Sequence, residues 1–552
     1  MATDAHFDAV VVGSGFGGSV TAFRLAEAGM SVLVLERGKA YPPGSFPRSP
    51  WEMARNFWDP SEGLHGLFDV WSFRGLGGIV ASGLGGGSLL WSNVVLRKDE
   101  STFVREEGEY WPVTYADLEP HYARHEQMLQ ATPYPFDRAP YDRTYKTKAM
   151  QYASRQLGLE WFLPPLAVSF DPGDGVPRTG QPIHGEANLH GATRLTCLLC
   201  GECNIGCNYG SKNTLDFNYL SQATLRHGAQ IRTRCEVKTF APRDGGGFVL
   251  DYVDHAHAVE GEERPRPLPL RTVTCDRLVL AAGSFGTTYL LLKNRGAFPR
   301  LSSRLGTRFC GNGDLLTLAI RARRNGGPRI IDAGYGPAIT STVRVKDAAE
   351  GGPGRAYYVQ DGGHPQLVNW IVETSFQLKV LRRATRVGLR LAKKLLRLDH
   401  RSDIGREIAS FFDSDLTGAS MPFFSMGRDL PNGNMKLTKD GYLDVDWRKH
   451  KHDPPFDDIR RTARKMAGAL DAKFVDSPTW YLSRVITVHP VGGCPMGRDD
   501  AEGVVDSYGR VFGYPGLYIA DGSALPGPVG PNPSTTIAAL AHRFAEQAIA
   551  DA

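Results

Sequence analysis

The chain lacks any long uncharged apolar segment. Among its 552 residues no such run approaches the roughly 20 residues that an α-helix needs to cross a membrane. The N-terminus also lacks a basic stretch followed by an apolar stretch and a cleavage site, and passes at once into a strand pattern. We therefore expect a cytoplasmic protein, although export on a partner's signal would leave no mark in the sequence.

An excess of one charge is also missing. The chain has 64 basic and 59 acidic side chains, a formal net charge of +5, which is too mild to point to nucleic acid. We expect no nucleic-acid partner. With 41% hydrophobic residues the chain can bury a large core, and its length predicts two or more domains.

Cysteine is scarce outside one short run. Half of the eight cysteines are isolated and look like buried thiols of a reducing compartment: Cys235, Cys275, Cys310 and Cys494. The others follow the C-x₂-C-x₂-C-x₃-C spacing of ferredoxin iron–sulfur ligands: Cys197, Cys200, Cys203 and Cys207. This spacing predicts a cluster, with a zinc or other structural thiol site and a redox-active disulfide as alternatives.

The N-terminal segment predicts a dinucleotide site. Residues 8–12 form a short apolar run typical of a parallel strand covered on both faces. Gly13, Gly15 and Gly18 follow at the G-x-G-x-x-G spacing, which permits a tight turn, close approach of a pyrophosphate and close helix packing. The second strand ends at Glu36, where a carboxylate should accept hydrogen bonds from an adenosine ribose. The acid favours FAD or NAD over NADP.

A second glycine-rich loop occupies residues 75–93. It contains seven glycines interleaved with Leu, Ile, Val and Trp, unlike a flexible linker, which would be poor in apolar residues. We expect this loop to bring its backbone against a flat ligand.

The rest of the chain predicts a parallel sheet extended by later strands, and then an antiparallel region. Helices are expected at residues 115–129 and from 212 to about 228, and buried strands at 229–237 and 277–282, with a hairpin turn at 260–269. Residues 310–481 suggest alternating strands walling a substrate cavity. Their candidates are strands at 329–333, 341–345 and 357–360 and a hairpin at 435–447.

Residues 379–398 describe an amphipathic helix with a basic face. Such a helix can lie on an anionic membrane surface and draw a lipid-like substrate from it. The alternative is a solvated helix packed on the protein body, favoured because Gly388 interrupts the pattern and large aromatic residues are missing from the apolar face.

The C-terminal region contains three linked signals. His489 stands on a tight glycine turn, and Asp521 and Gly522 end a strand. Asn532 precedes a helix, with Pro533 suited to its first turn. The N-terminus of that helix can stabilise a negative charge.

Together these segments resemble the glucose–methanol–choline (GMC) oxidoreductases, in particular their cholesterol oxidase-like branch. The shared motifs are the glycine fingerprint at 13–21, Gly85-Gly-Gly-Ser88, the cysteine run ending in Lys212-Asn-Thr-Leu, and Gly530-Pro-Asn-Pro-Ser534. The resemblance implies FAD as cofactor and oxidation of an alcohol.

The resemblance also implies site residues. His489 and Asn532 would face the flavin and hold the substrate hydroxyl, and Asp361 is the nearest candidate for the further base that cholesterol oxidases use. Other residues are expected to contact FAD: Gly13, Gly15, Phe16, Gly18, Glu36, Arg37, Gly85, Gly86, Ser88, Asn93, Val237, Ala282, Gly283, Asp521, Gly522, Asn532, Pro533 and Ser534.

The predicted fold class is α/β, with a Rossmann-like FAD-binding domain and a second α+β substrate domain built on an antiparallel sheet. We assign residues 1–100, 195–310 and 480–552 to the first domain and residues 101–194 and 311–479 to the second. The predicted substrate is a bulky hydrophobic alcohol, most plausibly a 3β-hydroxysteroid, with O₂ or another electron acceptor. The alternatives are a long-chain alcohol oxidase, a dehydrogenase passing electrons through a cluster, and a membrane-surface flavin-binding protein without turnover.

Overall fold

The structure is a computed structural model that describes residues 3–106, 109–185, 187–261, 268–365, 418–447 and 454–552. The basic helix expected at 379–398 lies outside the described residues and stays a prediction. Among the described helices, none combines the length and the apolar character that a membrane crossing requires.

A seven-stranded sheet is built around the N-terminal strand. This strand is parallel to its neighbours on both sides, with Val12 opposite Leu35 on one side and Leu280 on the other. The sheet's strands in spatial order are Gln230–Arg232, Val32–Leu35, Thr3–Val12, Leu270–Leu280, Phe248–Asp254 and Cys235–Pro242, while Leu517–Ile519 pairs with the end of Leu270–Leu280. Since the parallel strands end at one edge, the turns that follow them meet there.

Helices cover this sheet. Phe16–Glu27 is almost wholly buried and packs against Ser534–Ala550 at the C-terminus. Tyr115–Met128 begins with a capping box, in which the Thr114 side chain accepts a bond from the Asp117 backbone N–H while the Asp117 carboxylate accepts one from Thr114. The remaining α-helices of the described chain are Pro50–Ala54, Tyr145–Leu157, Tyr219–Leu225, Gly283–Lys293, Pro454–Ala469 and Pro478–Tyr481.

The second sheet has six strands, and every neighbouring pair is antiparallel. The expected antiparallel region is therefore present, between residues 160 and 476. Its strands in spatial order are Glu160–Phe162, Thr342–Val345, Tyr357–Asp361, Met421–Gly427, Leu315–Ile320 and Lys473–Asp476.

Smaller strand groups surround the two sheets. Val485–Thr487 runs parallel to Leu76–Ala81, which pairs with Phe68–Phe73. The expected hairpin at 435–447 is formed by Asn434–Leu437 and Leu443–Asp446.

Some element boundaries differ from expectation. The strand expected at 229–237 is divided because Arg234 adopts a left-handed conformation with φ 59°. Its second part, Cys235–Pro242, pairs antiparallel with Phe248–Asp254. This hairpin was not predicted from the sequence. The helix expected from 212 is only Tyr219–Leu225, and the strand expected at 329–333 does not form.

The buried apolar residues form two large clusters. One cluster is centred on the seven-stranded sheet and the other on the six-stranded sheet. Leu118 and Tyr122 of the helix Tyr115–Met128 belong to the first cluster, although we assigned that helix to the substrate domain. The domain boundaries themselves stay a prediction.

Candidate active site

The glycine turn after the first strand is tightly packed except at one position. A Cβ at Gly13 would lie 2.4 Å from the Ala281 carbonyl oxygen, and one at Gly18 would lie 2.0 Å from the Gly13 carbonyl oxygen. A Cβ at Gly15 would meet nothing within 4 Å. Gly15 is also the N-cap of the helix Phe16–Glu27, with no side-chain cap. The open position therefore lies where an uncapped helix N-terminus can receive a phosphate.

The Glu36 carboxylate organises this turn. It accepts hydrogen bonds from the Ser14 backbone N–H (3.0 Å) and hydroxyl (2.6 Å) and from the Gly38 backbone N–H (2.8 Å). Glu36 is buried. Since a carboxylate offers about four acceptor positions, one remains for the ribose contact that the sequence predicts.

The second glycine loop lies directly against the first. A Cβ at Gly86 would lie 2.6 Å from the Cα of Gly15, and the Ser14 hydroxyl accepts a bond from the Gly85 backbone N–H at 3.0 Å. The Ser88 hydroxyl is used inside the loop, where it donates to the Gly85 carbonyl oxygen. The backbones of the two loops thus form one continuous surface.

The turns that follow two neighbouring strands are joined by Asp521. One carboxylate oxygen accepts from the Gly283 backbone N–H (2.8 Å) and the Thr287 hydroxyl (2.5 Å), while the other accepts from the backbone N–H and hydroxyl of Ser523. Burial raises the pKa of Asp521. The backbone N–H of Gly492, in the His489 turn, donates to the Gly522 carbonyl oxygen at 2.9 Å, so this turn is held at the same edge.

Several buried polar atoms at these turns have no hydrogen-bond partner among the described residues. Both ends of the Asn93 amide and the hydroxyls of Ser534 and Thr535 are in this state. The helix Ser534–Ala550 begins there without a side-chain cap, after Pro533. Unpaired buried polar groups are costly, so these four atoms fit the presence of a polar ligand such as a flavin.

The remaining predicted cofactor residues lie in different settings. Phe16 packs edge-on against Trp91 with ring centroids 4.9 Å apart, and Arg37 is paired with Asp69. Val237 is buried in the first sheet, and Ala282 precedes the helix Gly283–Lys293. The contacts of all these residues with FAD stay predictions.

His489 is held by Asp314, an acid that immediately precedes the strand Leu315–Ile320 of the second sheet. Its Nδ1 lies 2.7 Å from the Asp314 Oδ1. The other oxygen, Oδ2, accepts from the Thr487 hydroxyl (2.9 Å) and from the backbone N–H groups of Val488 (2.8 Å) and His489 (3.0 Å). Asp314 was not singled out from the sequence, where its only signal is its place just before an apolar strand.

The segment that precedes Asn532 is held by Asn312, which belongs to the same turn as Asp314. The Asn312 amide donates to the Pro531 carbonyl oxygen (2.9 Å) and accepts from the Gly530 backbone N–H (3.1 Å). The Asn532 Oδ1 accepts a hydrogen bond from the Gln360 Nε2 at 3.0 Å. Asn312 and Asp314 are two residues apart, so one turn fixes the segments of both predicted catalytic residues.

Asp361 is placed away from this arrangement. Its Oδ1 accepts from the backbone N–H groups of Thr340 (2.8 Å) and Ser341 (2.7 Å), and its Oδ2 lies 3.4 Å from the Lys146 Nζ. Both charged side chains are fully buried. These bonds give Asp361 a structural role, and its strand neighbour Gln360 is the residue that bonds Asn532. The role of Asp361 as a base stays a prediction.

The cysteine run surrounds a small cavity. The four cysteines line about 20 Å³ of space together with Lys212, whose Nζ donates to the carbonyl oxygens of Leu89, Trp91 and Cys203. None of the eight cysteines is in a disulfide. Within the described residues, no group of three or more side chains is arranged to hold a metal ion. The predicted iron–sulfur cluster is therefore not supported.

Comparisons with known proteins place the chain in a family. A family model described as GMC oxidoreductase matches residues 430–541, and one described as NAD(P)-binding Rossmann-like domain matches residues 11–41. A cholesterol oxidase of Mycobacterium tuberculosis is 32% identical over 570 residues, covering 98% of this chain and 90% of the relative. The chain belongs to the GMC oxidoreductases.

Within the GMC family the chain is a cholesterol oxidase-like member. A cholesterol oxidase of Acinetobacter baumannii is 28% identical over 97% of this chain and 93% of the relative. A long-chain-alcohol oxidase of Arabidopsis thaliana is 23% identical over 97% of this chain and 66% of the relative. The protein is thus an FAD-dependent oxidoreductase that acts on alcohols.

Solved structures support the fold of this GMC protein. A formate oxidase of Aspergillus oryzae superposes with a TM-score of 0.61 at 14% identity, covering 100% of this chain and 99% of that chain. A pyridoxine 4-oxidase from Mesorbium loti gives a TM-score of 0.57 at 15% identity, with 98% of both chains covered. The predicted fold class is confirmed.

Proposed function

We propose that this protein oxidises the hydroxyl group of a bulky hydrophobic alcohol, with a 3β-hydroxysteroid as the leading candidate. The observation that carries the chemistry is the shared turn from Asn312 to Asp314, which holds the segments of His489 and Asn532. The substrate class is supported by the two bacterial relatives named as cholesterol oxidases.

His489 is the proposed base. Removal of the hydroxyl proton must accompany departure of hydride from the carbinol carbon. The chemistry that bound FAD supplies is the acceptance of this hydride. Because the Nδ1 of His489 is directed at Asp314, the imidazole has Nε2 left for the substrate proton.

Asn532 is proposed to orient the substrate oxygen. Its Oδ1 is taken by the Gln360 amide, which leaves the Nδ2–H₂ group as a donor. An amide donor and an imidazole acceptor can together bind one hydroxyl, which accepts from the first and donates to the second. The electron acceptor in the second half of the reaction is O₂ or another oxidant.

A flavin-bleaching experiment tests this proposal. The holoprotein is mixed without oxygen with a 3β-hydroxysteroid, its 3α epimer, a long-chain primary alcohol and a sugar. We expect the 3β-hydroxysteroid to bleach the flavin fastest. Faster bleaching by the long-chain alcohol or the sugar would overturn the steroid assignment, and no bleaching by any of them would overturn the proposed substrate class.

Replacement of His489 tests the proposed base. In His489→Ala we expect a folded, yellow holoprotein in which flavin reduction by the best substrate is slowed about 10²- to 10⁴-fold. An unchanged rate of flavin reduction would refute the role of His489.

The rival function is a dehydrogenase that passes electrons through a cluster at the cysteine run. One observation favours it: the four thiols share a cavity beside a lysine that contacts the flavin-side loop. Iron and acid-labile sulfide in purified protein, lost together in Cys200→Ser, would support the rival; their absence, with unchanged flavin reduction in Cys200→Ser, would remove it.

A further inference from the structure

The contact between Asp314 and His489 joins two parts of the fold. Asp314 immediately precedes the strand Leu315–Ile320 of the antiparallel sheet, whereas His489 follows Val485–Thr487 of the small three-stranded sheet. The two residues are 175 positions apart in sequence. The ring of His489 is therefore oriented by a residue from the other side of the site, and not by its own glycine turn alone.

Both oxygens of the Asp314 carboxylate are engaged, but with different groups. Oδ2 accepts three donors from the segment Thr487, Val488 and His489. Oδ1 accepts from the His489 ring. The bonds to the backbone fix the position of the segment from Thr487 to His489, while the bond to the ring fixes the rotation of the imidazole.

The geometry determines which nitrogen of His489 carries the proton. An ionised carboxylate is only an acceptor, so the Nδ1 atom 2.7 Å from Oδ1 must be the protonated one. In a neutral imidazole the lone pair is then on Nε2. The side chain of Asp314 is only 8% exposed, so water competes little for this bond.

We propose that Asp314 is a positioning residue, which holds His489 in the Nδ1–H tautomer and so presents Nε2 as the acceptor of the substrate's hydroxyl proton. In the step itself the O–H bond breaks, its proton forms a bond with Nε2, and the imidazolium that results remains paired with the Asp314 carboxylate. This inference rests on the proposed function of His489.

The substitution Asp314→Asn separates orientation from structure. The carbonyl oxygen of Asn can still accept the backbone donors of Val488 and His489, but its amide N–H₂ group faces the ring and favours the opposite tautomer. We expect flavin reduction at saturating substrate to slow about 10²- to 10⁴-fold. The substrate concentration for half-maximal rate should change little, because Asp314 does not contact the substrate.

Asp476→Asn is the matched control. Asp476 is also a buried acid, on the strand Lys473–Asp476 beside Leu315–Ile320, and is paired with Arg460. We expect this variant to lose stability but to keep the parent rate of flavin reduction. An equal slowing in Asp476→Asn and Asp314→Asn would show a general effect of removing a buried acid and would overturn the proposal.

A double substitution tests whether Asp314 acts through His489. In the His489→Ala background, Asp314→Asn should slow flavin reduction no further; a further loss of tenfold or more would overturn the proposal. If His489→Ala alone keeps the parent rate, the proposed role of His489 as the base fails, and the present inference fails with it. If His489→Ala is slow while Asp314→Asn is as fast as the parent, only the present inference fails.

The tautomer can also be measured without any Asp314 variant. Protein labelled with ¹⁵N-histidine reports the protonation of each ring nitrogen, and the His489 signals are those that vanish in His489→Ala. We expect protonated Nδ1 and unprotonated Nε2 in the neutral ring. The reverse assignment would overturn the proposal even if Asp314→Asn does not fold.

Discussion

Two polar residues expected at the cofactor, Asn93 and Ser534, differ from the buried ion pair of the second sheet in how far their hydrogen bonds are satisfied within the protein. At the turns, the amide of Asn93 and the hydroxyl of Ser534 are buried without partners among the described residues. In the second sheet, Asp361 and Lys146 are fully buried, and the carboxylate accepts backbone and side-chain donors. The buried pair of Asp361 and Lys146 is therefore satisfied within the protein, whereas the Asn93 amide and the Ser534 hydroxyl remain available to a polar ligand.

This difference bears on the predicted role of Asp361 as a base, which stays a prediction. Asp361 was predicted from the family resemblance, and in the structure its oxygens accept donors from Thr340, Ser341 and Lys146. The difference between the two regions can be tested by substitutions that affect one and not the other.

The largest expected effect is in the second sheet. Lys146→Ala leaves the Asp361 charge buried without its partner and should lower the free energy of unfolding by about 3–5 kcal/mol. Chemical denaturation of the apoprotein measures this change. The double variant Lys146→Met with Asp361→Asn removes both charges and keeps an acceptor for the Thr340 and Ser341 backbone N–H groups, so it should recover part of the loss and keep the parent rate of flavin reduction. A folded double variant without flavin reduction would support Asp361 as the base.

A smaller effect concerns a buried histidine of the first core. Burial lowers the pKa of His125 to about 3, and the ring is held at Nδ1 by the Tyr219 hydroxyl at 3.1 Å. The ring is neutral in the folded state, whereas the unfolded chain gains a proton below about pH 6.5. Its contribution to stability is therefore present above pH 6.5 and is lost as the pH falls towards 3, at about 1.4 kcal/mol for each pH unit.

Denaturation at pH 7 and pH 5 measures this term. His125→Gln should reduce the loss of stability between the two pH values by about 2 kcal/mol, whereas His184→Gln, at an exposed position, should not change it. An unaltered pH dependence in His125→Gln would show that other groups of the first core dominate.

The smallest expected effect is at the cofactor turns. Asn93 has φ 67°, which Gly also adopts, so Asn93→Gly removes the unpaired amide without backbone strain. We expect an apoprotein no less stable than the parent and FAD affinity lowered about tenfold, as for the loss of one or two hydrogen bonds.

Asn325→Gly is the matched control for Asn93→Gly, since Asn325 is an exposed residue with φ 53°. Flavin release followed by fluorescence should be unchanged in this control. If Asn93→Gly destabilises the apoprotein and keeps the parent affinity for FAD, the contrast between the two regions does not hold.

The first sheet was largely predictable from sequence because its signals are local. Gly13, Gly15 and Gly18 mark the turn through the space that each backbone needs, and the expected strand, turn and helix are found. The hairpin of Cys235–Pro242 with Phe248–Asp254 was not predicted. The turn predicted at 260–269 lies between Phe248–Asp254 and Leu270–Leu280, which do pair antiparallel. The second sheet was predicted as a type of region, but not strand by strand.

The sequence by itself determined the cofactor fold, since spacing, glycine geometry and apolar runs act within a few residues of one another. It also singled out His489 and Asn532, whose roles remain proposals. Only the tertiary structure decided which side chains contact these two residues. Asp314 meets His489 across 175 positions, and Gln360 rather than Asp361 faces Asn532. Pairing of buried charges depends on which strands become neighbours and which face each side chain takes, and neither is encoded within a short stretch of chain.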